Sequence, residues 1–431
     1  MHNKQQFQNS LSRTMSHAAT SALAIAIGLG LMVVSTREVA AQTYHVIYDF
    51  TGGVDGAGPF AGVTMDAAGN LYGTTLSRGA HGYGAVYKLS HKDSTWVFVP
   101  LYSFQNVPDG ANPAARVIFG PNGTLYGTTL NGGQGCRGVG CGTVFKLSPP
   151  ATVVCRSVLC PWNETALYRF GNVPDGASPY SEVVFDQAGN LYGTTYGGGL
   201  NDAGAVYELL PFDGGWAERV LYSFAGGDDG ALPQAGLIFD TGGNLYGTAS
   251  ADAHYGTVYE LTPSEFGWTE QTLHLFQDYS LGASPVGGLI FDRSGNLYGT
   301  TIYGGAHTSG TVFQLTPSQG SWTFTLLYSL AGNGTEGPSA NLILDAAGDL
   351  YGTTYADGAY GFGAVFKLTR SAGAWTYTSL HDFTGGSDGG GPLGQLISDS
   401  NGNLYGTTGL GGSTEGNCGS TGCGVVLEIT R

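Results

Sequence analysis

Charge is scarce in this sequence, and positive charge is scarcest. Only 11% of the 431 residues are Asp, Glu, Lys or Arg, and 16 Lys and Arg face 32 Asp and Glu. With a net charge of −16, the chain has little with which to neutralise phosphates, which argues against a nucleic-acid partner. A sustained 3.6-residue apolar period is also missing from the bulk of the chain, so helices are not expected there. After residue 34 no apolar stretch is long enough to span a membrane. Gly-x-Ser-x-Gly, His-Glu-x-x-His and phosphate-loop motifs are absent, so no common hydrolytic or nucleotide chemistry announces itself. Alternating Asp-x-Asp-x-Asp loops are lacking too, which leaves no calcium site to expect. No metal and no cofactor are expected.

What the sequence has is repetition. Leu-Tyr-Gly-Thr occurs seven times, with its tyrosine at 72, 126, 192, 246, 298, 351 and 405. The steps are 54, 66, 54, 52, 53 and 54 residues, close to the length of one β-propeller blade. Around the fourth copy the unit reads as four short runs. These are Gly-Leu-Ile-Phe-Asp (236–240), Asn-Leu-Tyr-Gly-Thr (244–248), Gly-Thr-Val-Tyr-Glu-Leu (256–261) and a run from Trp268 to Phe276. Each is β-branched or aromatic and bounded by Gly, Asp, Pro or Ser, which is the strand signature. The expected fold is all-β, a seven-bladed propeller with four antiparallel strands per blade and blades starting near 59, 113, 179, 233, 285, 338 and 392.

The first fourth-strand run, Val46 to Phe50, precedes the first complete unit, and none follows 424–429. The N-terminal strand is therefore expected to complete blade 7 and remove the open edges of the ring. Six units carry Asp-x-x-Gly between their first two strands, at Asp66, Asp186, Asp240, Asp292, Asp345 and Asp399. The carboxylate can accept turn N–H groups and the glycine supplies a positive φ, so these aspartates are read as turn formers.

Residues 1–41 have the layout of an export signal. Lys4 and Arg13 precede an apolar stretch from Ala18 to Val34, and Val39-Ala40-Ala41 offers small residues for cleavage. The mature chain is expected to be a single domain over 42–431, secreted, extracellular or periplasmic. Retention of the segment as a membrane anchor is the alternative. The six cysteines fall in three pairs five positions apart: Cys136 with Cys141, Cys155 with Cys160, and Cys418 with Cys423. An even count in an exported chain favours local disulfides over zinc.

Where the copies differ is where function is sought. One position at the start of the first strand reads Gly62, Arg116, Glu182, Gly236, Gly288, Asn341 and Gln395 in blade order. Inner strands line the channel of a propeller, so Arg116, Glu182, Asn341 and Gln395 are expected in one ring near its mouth. They form either a recognition surface or, for Arg116 with Glu182, a structural ion pair. Three loops on the same face carry His81, His254 and His307. Neutral imidazoles can ligate metals or act as bases, yet solvated loop histidines explain them as well. A lone inward carboxylate is thin for glycoside cleavage, which usually takes two.

The repeat Gly-Leu-Ile-Phe-Asp-x-x-Gly-Asn-Leu-Tyr-Gly-Thr-Thr, followed by Gly-Gly and Gly-Thr-Val-Phe-x-Leu, resembles the GloVer tandem repeat of bacterial "choice-of-anchor" surface proteins. The resemblance covers nearly all of residues 44–430. The Asp-x-x-Gly-Asn-Leu-Tyr core is similar, more loosely, to NHL and gluconolactonase-like propellers. The first resemblance implies a surface or secreted protein and assigns no activity. No anchoring tail is read after the last strand, which adds weight to simple secretion. The expected function is a monomeric binding module for a carbohydrate or a protein through the channel face. The alternatives are a lyase, lactonase or glycoside hydrolase working in the channel, and a structural surface protein.

Overall fold

The computed structural model describes residues 42–92, 95–150, 162–251, 254–332, 336–371 and 373–430, apart from the Arg137 side chain. The expected export signal at 1–41 and the Cys155–Cys160 pair lie outside the described residues. No helix among those described is long and apolar enough to cross a membrane.

Each blade grows from one turn. In blade 1, Asp66 Oδ1 accepts the N–H groups of Ala68 and Asn70 at 2.9 Å each. Its Oδ2 accepts Asn70 Nδ2 at 2.8 Å and the Tyr72 hydroxyl at 3.1 Å. The same turn recurs at Asp186, Asp240, Asp292, Asp345 and Asp399. The turn reading of these aspartates therefore holds. Blade 2 has Gly120 in this place, and a Cβ there would collide with the Tyr126 ring.

The turn aims the chain into Leu71–Thr75, which is wholly buried. This strand pairs with Val63–Met65 on one side and Ala85–Lys92 on the other, and Thr95–Ser103 completes the sheet. Gly73 faces the Tyr87 hydroxyl so closely that any Cβ would clash, which is why glycine follows tyrosine in the repeat. Seven four-stranded antiparallel sheets of this kind make the propeller. In blade 7, Thr43–Asp49 pairs with Val425–Thr430, from Thr43 opposite Thr430 to Asp49 opposite Val425. It carries a register shift between Val46 and Tyr48, matching the shift at Val86 and Tyr87 in blade 1. The closing strand thus reproduces the ordinary fourth strand down to its bulge.

The core lies in the seams between blades. Phe50, Tyr405 and Val426 pack with Val63, Leu71, Tyr87 and Leu89 where blade 7 meets blade 1. Six further clusters fill the other seams. Two polar devices align the blades. In six blades the threonine of Leu-Tyr-Gly-Thr donates to a carbonyl of the next blade, as Thr74 to Ala115 at 3.0 Å, Thr128 to Ser181 at 2.8 Å and Thr194 to Ala235 at 2.9 Å. At the closure Thr407 Oγ1 instead accepts the Gly62 N–H at 3.0 Å. The proline that opens each blade also covers a glycine of the previous one: a Cβ on Gly84 would lie 2.7 Å from Pro113 Cδ.

Cys136–Cys141 and Cys418–Cys423 are disulfides with Cα–Cα distances of 5.2 and 5.0 Å. Both pin loops between second and third strands. The connections between blades carry Asp55, Asp109, Asp175, Asp229 and Asp388. Each accepts the N–H four residues earlier or a tyrosine or histidine of the preceding strand, as Asp229 does from Ala225 N at 2.7 Å and Tyr222 Oη at 2.9 Å.

Candidate functional site

The segments leading into the inner strands bring several residues to a cavity of about 460 Å³ at the channel mouth. All seven blades contribute to its wall. Arg116, Glu182, Gly236, Asn341 and Gln395 of the variable ring line it, so the four polar residues singled out in the sequence come together. Arg116 Nη2 lies 3.4 Å from Glu182 Oε1, with both side chains about one quarter exposed.

The glycines of the ring are seats for their neighbours' side chains. A Cβ on Gly236 would meet the Glu182 carboxyl at 3.1 Å, and one on Gly288 would meet Asn341 at 2.8 Å. Gly288 N–H donates to Asn341 Oδ1 at 2.6 Å. Gly62, at φ +77°, forms a bridge with Gln395. Gly236 and Gly288 thus leave room at the floor for the longer side chains of Glu182 and Asn341 on neighbouring blades.

A second ring was not read from the sequence. Two residues before the variable position, each immediately after the blade-opening proline, stand Phe60, Ala114, Tyr180, Gln234, Val286, Ser339 and Leu393. All seven line the cavity. Side chains two apart on an extended chain share a face, so the proline marks this ring as plainly as the first. Gln234 Nε2 donates to Ser250 Oγ at 3.0 Å. Burial and the nearby Tyr196 hold the Tyr180 phenol above its ordinary range, which keeps it a donor. Leu76, Leu130, Ile302 and Tyr355, at the ends of second strands, complete an apolar collar.

The histidines stand elsewhere. His81 and His307 are exposed on outer loops, and His254 Nε2 lies 3.2 Å from Asp228. None of the three lines the cavity. The structure places them in the loops between second and third strands and does not bring them to the channel. No group of three or more His, Cys, Asp or Glu that could hold a metal occurs among the described residues.

Fold and mouth define the class: a closed seven-bladed propeller with a polar-floored, apolar-rimmed cavity. The chain belongs to the Gloeobacter/Verrucomicrobia repeat family, whose profile matches residues 30–255 and 250–430. No curated protein matches the sequence at a significant level. Among solved structures the chain is similar to candidate 6-phosphogluconolactonases from Bacteroides uniformis and Bacteroides fragilis. The first is 16% identical over 78% of this chain and 88% of that one, with a TM-score of 0.49. The second is 18% identical over 80% and 87%, also at 0.49. A candidate oxidoreductase (glucose dehydrogenase) from Thermus thermophilus is 14% identical over 90% and 99%, with a TM-score of 0.41. No activity is carried over from these likenesses.

Proposed function

We propose that this protein is an extracellular binding module that takes a carbohydrate into the mouth of its channel. The observation that carries the reading is the cavity itself. Its volume lies within the roughly 300–1,000 Å³ of small-molecule sites, and its wall joins aromatic and aliphatic faces to amides and hydroxyls. Such a concavity suits the end of a sugar chain better than the broad surface of a folded protein. Binding is favoured over catalysis because the wall holds one carboxylate, Glu182, already paired with the one cation, Arg116. Two disulfides support an oxidising compartment. The test is a glycan array probed with the exported chain, followed by product analysis on each hit. Retention of a glycan without turnover is the expected result. Release of a new reducing end or lactone-ring opening would replace this reading with an enzymatic one.

A further inference from the structure

Resting on that reading, we infer that the mouth selects the uncharged, hydroxyl-rich end of a glycan and reads it through Ser339, Asn341 and Gln395 on blades 6 and 7. The polar groups of the mouth are unequally satisfied. On blades 3 and 4, Glu182 is held by Arg116 and Gln234 by Ser250. On blades 6 and 7, Ser339 Oγ and Gln395 Oε1 are buried without a partner, and on blade 2 so is Arg116 Nε, although that guanidinium's charge is matched by Glu182. Asn341 commits its oxygen to Gly288, which leaves its Nδ2 to donate. To read a ligand, the serine hydroxyl must turn about χ1, and the glutamine amide about its last torsion, toward the cavity that both residues line. Hydroxyl, amide acceptor and amide donor lie on adjacent blades and carry no charge.

A sugar hydroxyl both donates and accepts, so a vicinal pair of hydroxyls can meet this mixed set in either sense. A carboxylate or ammonium on the ligand can find a counter-charge only in Arg116 or Glu182. The only charges on the wall are Arg116 and Glu182, which already neutralise each other, and an ionic ligand must part them or go uncompensated. Next to the arc, Phe60 of blade 1 and Leu393 of blade 7 line the rim, where the C–H face of a pyranose can rest.

Calorimetry on the disulfide-intact protein tests this with three kinds of disaccharide: neutral (maltose, cellobiose, lactose), anionic (digalacturonate) and cationic (glucosamine dimer). At least one neutral probe is expected to bind ten-fold or more tightly than either charged one. Gln395→Leu should weaken that probe ten-fold or more, and Ser339→Ala several-fold, with melting unchanged. Gln395→Glu should leave the fold intact and move the preference toward the glucosamine dimer, so a misfolded leucine variant does not stall the test. A charged dimer bound as tightly as the neutral one overturns the inference and leaves the binding reading standing. Neutral binding that survives Gln395→Leu but is lost in a mouth-filling Ala114→Trp also overturns the inference alone, whereas binding that survives both lies outside the mouth and overturns the binding reading as well. Failure of every probe, including longer chains on the array, overturns the binding reading itself.

Discussion

Two seams of this propeller share one scaffold and differ at one outer-strand position. Between blades 7 and 1, Phe98 stacks on Tyr48 at 4.9 Å and on Tyr87 at 5.8 Å, with Phe50 edge-on to Tyr87. Between blades 2 and 3, Tyr168, Phe170 and Tyr207 keep the corresponding places, but Glu218 stands where Phe98 stood. The register makes the equivalence secure, since Phe98 pairs with Leu89 and Glu218 with Leu209. Glu164 and Glu270 fill the same position in blades 2 and 4, opposite Leu147 and Leu261. Phe324 and Tyr377 restore the aromatic in blades 5 and 6. Three consecutive seams are thus acid-lined and the rest are aromatic. The repeat fixes where the strands lie; single positions within it set how each seam responds to solvent.

The largest effect should come from removing a seam altogether. Deleting Thr43–Asp49 strips blade 7 of its outer strand and exposes the edge of Val425–Thr430. We expect aggregation or loss of a single cooperative melting transition, read by calorimetry. A truncated protein that melts like the full chain would refute the closure. Next in size is a change common to both kinds of seam. Asp240→Ala removes acceptors for Gly242 N, Asn244 N, Asn244 Nδ2 and Tyr246 Oη, and should cost about 2–3 kcal/mol. Asp66→Ala should cost about the same, although its Tyr72 packs in the acid-lined seam of blades 1 and 2 and Tyr246 in the aromatic seam of blades 4 and 5. Unequal losses in urea melts would mean that the seam, not the turn, governs these sites.

The acid-lined seams should reveal themselves by pH. Burial, with the nearby Asp109, pushes the Glu164 carboxyl up to about 7, with Arg169 partly opposing. Burial and Asp175 push Glu218 up to about 7 as well. A carboxyl whose folded pKa is raised binds its proton more tightly in the folded state. Its stabilisation is therefore complete below the unfolded value near 4.5 and is lost as pH rises through 7. Stability should fall between pH 5 and pH 8 by about 1 kcal/mol per glutamate once solvent screening is allowed for, read as a falling melting temperature. The double variant Glu164→Gln and Glu218→Gln should flatten that slope, and Glu218→Phe should raise stability at pH 8. An undiminished slope in the double variant would place its origin elsewhere, whereas a remnant is expected from Glu270, which burial raises in the third acid-lined seam.

How much of this was legible beforehand follows from the repeat. Strand order, closure by residues 43–49 and the turn aspartates could be read because seven copies average away accident. The ring of Arg116, Glu182, Asn341 and Gln395 was legible as variation at one aligned position. Tyr180, Gln234 and Ser339 were missed because only one variable column was followed, although the proline before each marks a second. The threonine that donates across six of the seams was invisible for the opposite reason. It is constant, and constancy alone does not say which neighbour a side chain reaches. The histidines misled because loops between second and third strands share the face of the mouth without reaching its wall.

The smallest effect on stability, with a change in charge preference rather than a loss of binding, is expected at Glu182. Its carboxylate meets Arg116 at 3.4 Å with both side chains partly exposed and lies over the seat left by Gly236. Glu182→Gln keeps the side-chain volume, so the Gly236 seat stays filled. The lost, partly exposed ion pair is worth at most about 1 kcal/mol. The melting curve should barely move, in contrast to Asp240→Ala. Arg116, however, loses its counter-charge and becomes the only net charge on the wall. A neutral disaccharide should bind more weakly, while digalacturonate should gain affinity because its carboxylate can take the place Glu182 has vacated. Calorimetry with both probes, set beside the melt, decides the point. Normal neutral binding with no gain for the uronate would return Arg116 and Glu182 to a purely structural role, and an early melt would show that the ring helps hold the blades together.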